Sequence, residues 1–474
     1  MLSEPQKMDM EKVTILGAAR SGIAAARLLR DHGAKVFVSD QKPQEDLTKA
    51  IDELTRLGIE IETGSHSDRA LDADVIVISP GVPTDAPIVQ KALALRIPIF
   101  SEIEVASWFC KAPIVAVTGS NGKTTTVSLL GAILETWFGS LKGRRVFVKG
   151  NIGDAFSTVA DEATPQDIVV LEVSSFQLDH IKTFHPQIAI LLNITPDHLD
   201  RYGYAVHSKS GEVEAFKNYV TSKLRIAMNL RGTDAFIYNA DDEIVVREVH
   251  RLPPDRGSRF PFRVADNGAT ASIDRGVLTL RVNGEEEPVL PANEIAIRGL
   301  HNLYNSMAAS IAAQLLGAPI PVIAQVLRTF KGVEHRLEFV REVSGVKFVN
   351  DSKGTNVDAV WYALQSFSEP IVLLLGGRDK GNDYSRLVPL VQKHVRAIVA
   401  IGESAEKVMT VFSPLVYTIR ADSMEEAVRK AYQLSKRGDV VLLSPACASF
   451  DWFENYEHRG RVFKELVWNL PEKP

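Results

Sequence analysis

The run Thr118-Gly119-Ser120-Asn121-Gly122-Lys123-Thr124-Thr125 carries the strongest local chemistry in this sequence. It follows an apolar strand pattern over residues 114–119 and opens a helical pattern over residues 123–137. Glycines let backbone N–H groups turn inward around phosphate oxygens, and a helix N-terminus adds the positive end of its dipole. Lys123 supplies a point charge for the outer phosphates, and Thr124 a hydroxyl for Mg²⁺. Against the common G-x-x-x-x-G-K-[ST] pattern the loop is two residues short, because position 117 is Val.

A second glycine loop, Gly17-Ala18-Ala19-Arg20-Ser21-Gly22, follows the first strand pattern. It approximates G-x-G-x-x-G with Ala19 at the middle glycine, and Asp40 ends the next strand where an acidic residue can meet a ribose hydroxyl. A dinucleotide, a mononucleotide and a nucleotide-sugar all fit this pattern. Glu172 falls at the C-terminal end of a buried strand, where open parallel sheets gather ligands. Asp197-His198-Leu199-Asp200 follows the next strand, after Asn193. Glu172, His198 and the Thr124 hydroxyl therefore form a Mg²⁺ set beside one phosphate loop. Lys223 lies in a helix expected over residues 211–229, where pattern alone reads it as a solvated lysine. Lys353 and Lys380, each taken alone, read as surface lysines, and Cys447, in an apolar stretch, as packing.

Strand–helix alternation must position these groups, and it predicts an α/β fold with parallel sheets. Residues 13–17, 35–40 and 74–81 read as the strands of a first domain, 1–111. Residues 114–119, 167–175 and 187–193 belong to a second, 112–332, in which 255–300 reads as antiparallel β. Residues 346–351, 370–377, 396–402 and 439–446 belong to a third, 333–474. The 474 residues suit three domains of about 150 each. Hydrophobic residues at 45% and charged residues at 24% exclude a largely disordered chain. A net charge of −5 argues against a dominant nucleic-acid surface. No apolar run is long enough for a membrane span, and residues 1–12 have no apolar signal core. Two cysteines exclude a disulfide framework and a cysteine zinc site, and they fit a reducing cytoplasm.

In order along nearly the whole chain come TGSNGKTT (118–125), GNIG (150–153), LEVSSFQL (171–178), DHLDRY (197–202), RGLHNLYN (298–305), EHRLE (334–338), NDSKGTN (350–356), GGRDKGND (376–383) and SPACASFDWF (444–453). With these motifs the sequence resembles the Mur ligase family. The resemblance implies an N-terminal Rossmann-like uridine-nucleotide domain, a central P-loop ATPase-type α/β domain with a small antiparallel β part, and a C-terminal Rossmann-like α/β domain. It implies that Arg20, Ser21, Asp40, Gly81 and Asn151 bind the uridine substrate, UDP-N-acetylmuramoyl-L-alanine. It gives ATP to Gly119, Ser120, Asn121, Gly122, Lys123, Thr124 and Thr125, with Asn302, Asn305, Arg336 and Asp351. The SPACASFDWF run points to D-glutamate as the incoming amino acid, held by Lys353, Thr355, Lys380, Ser449 and Phe450.

The implied chemistry is carboxylate activation by ATP through an acyl phosphate, with Lys123, His198 and Lys223 as catalytic residues. The implied metals are two Mg²⁺, held by Thr124, Glu172, His198 and a CO₂-derived carbamate on Lys223. The stretch between Tyr202 and Lys223 is longer than the family's pattern, which leaves Lys209 and Lys217 as competitors for the carbamate. The expected partners are small molecules, with neither nucleic acid nor membrane, and the expected state is a monomer.

Overall fold

A computed structural model describes residues 11–472 except 142, 152, 198, 203–208, 266–267 and 380. His198 and Lys380 thus lie outside the described residues. Among the described residues the chain forms two compact units. One runs to Pro291 and takes in Asn305–Val326; the other comprises Ala292–Tyr304 and the chain from Leu327 onward.

The first unit contains two sheets. The N-terminal one has strands β1 (Lys12–Leu16), β2 (Lys35–Asp40), β3 (Glu60–Thr63), β4 (Val75–Ile78) and β5 (Ile99–Ser101), all parallel, in the order β3-β2-β1-β4-β5. The residues Val75–Ile78 are buried without alternation, as a parallel sheet covered on both faces requires. Strand order reverses beside β1, so the crevice for a ligand opens where β1 and β4 end.

The second sheet holds β6 (Ile114–Thr118), β7 (Val146–Gly150), β8 (Ile168–Glu172), β9 (Ile188–Leu191), β10 (Ala235–Asn239), β11 (Ser258–Ala265), β12 (Ala271–Asp274), β13 (Val277–Leu280) and β14 (Glu287–Pro291). Its order is β14-β13-β12-β11-β10-β9-β6-β8-β7. The antiparallel reading of residues 255–300 holds only from β12 onward. β11 pairs parallel with both β10 and β12, so it extends the central sheet. Its apolar residues Phe260 and Phe262 pack in a parallel register that composition alone does not distinguish from a hairpin. The helix expected over 211–229 runs Lys209–Leu224 and then tightens into a 3₁₀ turn, Arg225–Ala227.

One core serves both sheets: Leu28, Ile103 and Ala106 pack with Ala116, Phe156, Leu171 and Leu191. Two buried glutamates fasten the domains together. Glu102 Oε1 accepts from the Ser157 N–H and hydroxyl, each at 2.6 Å. The Glu104 carboxylate accepts from the N–H groups of Lys182, Thr183 and Phe184 at 2.7–2.9 Å. Buried carboxylates persist only when hydrogen-bonded in this way.

The second unit is built on β15 (Glu338–Val343), β16 (Val346–Asn350), β17 (Ile371–Gly376), β18 (Val395–Ile401), β19 (Tyr417–Arg420) and β20 (Val440–Leu443). The order is β15-β16-β20-β17-β18-β19, parallel except for the β15–β16 hairpin. The loops after β16 and β20 therefore emerge side by side at one end of the sheet.

Candidate active site

In the central sheet β6 lies between β9 and β8, so the ends of all three strands face one point. The phosphate loop leaves β6 and turns into the helix Lys123–Phe138. Gly122 has φ +89°, and a Cβ there would run into Asn305 Oδ1. Glycine is thus required twice over, for its backbone angle and for the space. Asn305 also takes the Thr126 hydroxyl at 3.3 Å, which joins it to the first turn of that helix.

Lys123 Nζ donates to the carbonyls of Gly119 at 2.7 Å and Ser120 at 3.0 Å. Lys223 Nζ reaches the same Gly119 carbonyl at 2.9 Å and sits 4.5 Å from the Tyr219 ring centroid. Lys223 is 2% exposed, whereas the Lys217 side chain is 72% exposed and lies 3.7 Å from Glu214. Between these two lysines the structure brings only Lys223 to the phosphate loop; the Lys209 side chain is outside the described residues. Burial, with the charge of Lys123 next, pulls the Lys223 pKa well below the ordinary lysine value.

Thr124 Oγ1 donates to Glu172 Oε2 at 2.6 Å, and Asn151 Nδ2 donates to Glu172 Oε1 at 3.0 Å. Thr124, in the helix after β6, Glu172, ending β8, and Asn151, just past β7, thus form one chain of hard oxygen and amide groups. This donor set fits Mg²⁺, which takes carboxylate and hydroxyl oxygens. Buried Thr118 Oγ1, Thr125 Oγ1, Thr195 Oγ1 and Asn121 Nδ2 lack a hydrogen-bond partner among the described residues. Four such groups around one loop suit an oxygen-rich ligand.

Sequence reasoning missed how the loop is braced. Asn193, two residues past the end of β9, accepts the Asn121 N–H at 2.8 Å and donates to the Asn121 carbonyl at 3.0 Å. The Ser120 hydroxyl bonds the Thr195 carbonyl and N–H, both at 2.9 Å, and Tyr219 Oη at 2.9 Å. Asn193→Ala removes both bonds to Asn121. At about 1 kcal/mol each, this should weaken nucleoside triphosphate binding about tenfold or more by titration calorimetry. Unchanged affinity would show that the loop holds its shape without Asn193.

At the N-terminal sheet, Gly17 has φ +97°, and a Cβ would approach Ser79 Cβ to 2.9 Å. Asp40 accepts from the loop N–H of Ala18 at 2.7 Å and from the N–H of Lys42, in its own turn, at 2.8 Å. Arg20 reaches the Gly153 carbonyl at 2.9 Å, linking this loop to the GNIG turn that carries Asn151. Ser21 is half-buried and Gly81 exposed. Arg201, from DHLDRY, was not singled out by sequence. It donates to the carbonyls of Pro80 and Val82 at 2.6 and 2.7 Å and lies over the Phe176 ring. Arg20 and Arg201 thus fasten the turns of the N-terminal sheet to segments of the central sheet.

Asn302, Arg336, Asp351, Lys353, Thr355, Ser449 and Phe450 belong to the second unit. Asn302 is buried and donates to the Arg298 carbonyl at 2.8 Å. Asp351 accepts from the Ser444 hydroxyl at 2.7 Å and the Leu337 N–H at 3.2 Å, and burial raises its pKa to about 6. Lys353 Nζ lies 5.3 Å from the Tyr456 ring, Ser449 is buried, and Phe450 is 60% exposed. Cys447 is fully buried and burial raises its thiol pKa, as packing requires and nucleophilic attack does not.

The N-terminal residues 11–101 match the Mur ligase MurD-like N-terminal domain, 117–313 the Mur ligase middle domain, and 335–447 the Mur ligase glutamate ligase domain. A UDP-N-acetylmuramoylalanine--D-glutamate ligase of Salinibacter ruber is 49% identical over 98% of this chain and 99% of its own. One from Chloroherpeton thalassium is 44% identical over the same shares. Among solved structures, MurF from Acinetobacter baumannii superposes with a TM-score of 0.60 at 16% identity, covering 96% of this chain and 93% of its own. MurC of Thermotoga maritima does so at 0.58 and 20%, covering 96% and 99%. These last two similarities speak to the fold. With three domain matches in order and relatives this similar over their full length, the chain belongs to the Mur ligase family.

Proposed function

We propose that the chain is an ATP-dependent ligase that joins D-glutamate to UDP-N-acetylmuramoyl-L-alanine, releasing ADP and phosphate in peptidoglycan precursor synthesis. The observation that carries this reading is the shared point at which Lys123, Lys223 and the Thr124–Glu172 pair meet the phosphate loop. The activity for which the full-length relatives are named supports D-glutamate as the amino acid.

Amide formation from a carboxylate and an amine is uphill in water, so the carboxylate must be activated. A muropeptide carboxylate oxygen attacks the γ-phosphorus of ATP, and the bond to ADP breaks. The D-glutamate amine then attacks the acyl carbonyl. The tetrahedral intermediate collapses, and phosphate leaves with the former carboxylate oxygen. Two anions must approach one another in the first step. The protein's contribution is therefore positioning and charge neutralisation. Lys123 supplies a fixed cation. Mg²⁺ held by Thr124, Glu172 and, in this reading, His198 and a Lys223 carbamate would offset phosphate charge.

In the same reading Arg20, Ser21, Asp40, Gly81 and Asn151 serve the uridine substrate, while Asn302, Asn305, Arg336 and Asp351 serve ATP. Lys353, Thr355, Lys380, Ser449 and Phe450 serve D-glutamate, whose two carboxylates call for several donors. The domains run 1–111, 112–332 and 333–474, and the chain works as a monomer in the cytoplasm. No helix of the described residues is long and apolar enough to cross a membrane.

The test is phosphate release with each substrate omitted in turn. Sustained release is expected only with ATP, muropeptide and D-glutamate together. Peptide product without ATP, or preference for L-alanine or a diamino acid, would overturn the reading.

A further inference from the structure

Arg459, in the first turn of the helix Tyr456–Trp468, is 1% exposed and yet hydrogen-bonds no carboxylate among the described residues. Its guanidinium is surrounded by oxygens of two loops. Nε donates to Ser352 Oγ at 2.9 Å and Nη2 to the Ser352 carbonyl at 2.8 Å. Nη1 donates to the carbonyls of Cys447 at 3.1 Å and Ala448 at 3.3 Å. The first loop follows β16 and the second follows β20, which are neighbours in the sheet.

Two of these acceptors lie in informative places. The Ser352 carbonyl belongs to the peptide group that carries the Lys353 N–H, and the Ala448 carbonyl to the one that carries the Ser449 N–H. Because the peptide is planar and trans, holding each carbonyl on the guanidinium turns the following N–H the opposite way. Arg459 thereby sets the peptide planes leading into Lys353 and Ser449. Burying a cation among carbonyls is a costly way to gain stability, since apolar residues of similar volume fill such space more cheaply. The planar fork does something an ammonium cannot: it fixes four oxygens in one geometry. Two further bonds hold the loops together, from the Ser444 hydroxyl to Asp351 and from the Ala446 N–H to the Gly354 carbonyl.

We propose that Arg459 is a positioning residue that fixes the spacing between the Lys353–Thr355 loop and the Ser449–Phe450 loop, and with it the fit of D-glutamate. The proposal rests on the assignment of D-glutamate to those loops. Arg459→Lys keeps the charge but loses the fork. It should raise the KM for D-glutamate on the order of 10²-fold, as displacement of a substrate-holding group does, and leave the KM for ATP and for the muropeptide unchanged. Ser352→Ala deletes only the Nε contact and the Ser352 hydroxyl's own bond to the Tyr456 carbonyl at 2.8 Å. It should give a smaller rise of the same kind, and it keeps the test decisive if Arg459→Lys does not fold.

Lys353→Ala and Ser449→Ala are measured alongside. If both raise the KM for D-glutamate while Arg459→Lys and Ser352→Ala leave it alone, the clamp is wrong and the site assignment stands. If Lys353→Ala and Ser449→Ala leave it alone, the site assignment fails and takes the clamp with it. A parallel rise in the KM values of all three substrates with a lowered Tm would make Arg459 merely structural and also overturn the proposal.

Discussion

Lys123→Ala is expected to lower turnover on the order of 10³-fold or more, about 4 kcal/mol of transition-state stabilisation, with the fold intact. Lys123 opens the helix Lys123–Phe138, and its Nζ is drawn over the loop by the Gly119 and Ser120 carbonyls. A cation held there is fixed before the reaction begins, so no reorganisation is needed as charge shifts on the γ-phosphate. Alanine removes the cation and leaves the helix, since alanine is the best helix former. The loop itself remains braced by Asn193 and by Ser120. The loss should therefore fall mainly on kcat, with an unchanged thermal melt. Lys123→Arg should also be poor, because a planar fork cannot occupy the place of a compact ammonium. Rates within tenfold of the parent for Lys123→Ala would remove the phosphate loop from the chemistry.

The sequence makes some parts of this site legible and hides others for physical reasons. TGSNGKTT is legible because the loop's chemistry is local: glycine, lysine and hydroxyl act within eight consecutive positions. Glu172 is legible only in company: a lone carboxylate ending an apolar strand reads as structural, and its arrival with Thr124 and His198 beside one phosphate loop marks it. Asn193 and Arg201 are hidden because each acts on the backbone of a distant segment. Their partners, Asn121 and the Pro80–Val82 turn, are set by strand order and not by spacing. The same holds for the fold. The apolar runs at 75–78, 188–191 and 371–376 announce buried strands. β3, with the sequence Glu-Ile-Glu-Thr, and β19, at a sheet edge, lack the apolar continuity that marks a central strand. β7 carries Lys149 and ends in Gly150, so its place beside β8 shows only in the pairing. The parallel pairing of β11 is hidden for a related reason: most of its residues are only half-buried, so it lacks the continuous apolar run of a parallel strand covered on both faces.

Lys223 sets the second large effect, because its position is incompatible with an ordinary surface lysine. Its amine is buried against Gly119, whose carbonyl it shares with Lys123. Desolvation penalises the Lys223 charge most, and repulsion between two ammonium groups at one carbonyl adds to it. An uncharged amine in that place is a nucleophile. It can add to CO₂, forming an N–C bond and releasing a proton, and so become an anion beside the Lys123 cation. The sign of charge at this position then reverses, from one that repels Lys123 and any metal to one that attracts both. Lys223→Ala should consequently be inactive, while Lys217→Ala, altering an exposed side chain, should be near parent. Rescue reads the sign directly. If the working group is a carbamate, acetate or formate should restore part of the Lys223→Ala activity, and methylammonium should not. If the working group is the ammonium, the pattern inverts. Bicarbonate should also raise the rate of parent enzyme prepared in CO₂-depleted buffer. Rescue by the amine alone would leave Lys223 essential but refute the carbamate, because the position would then require a cation.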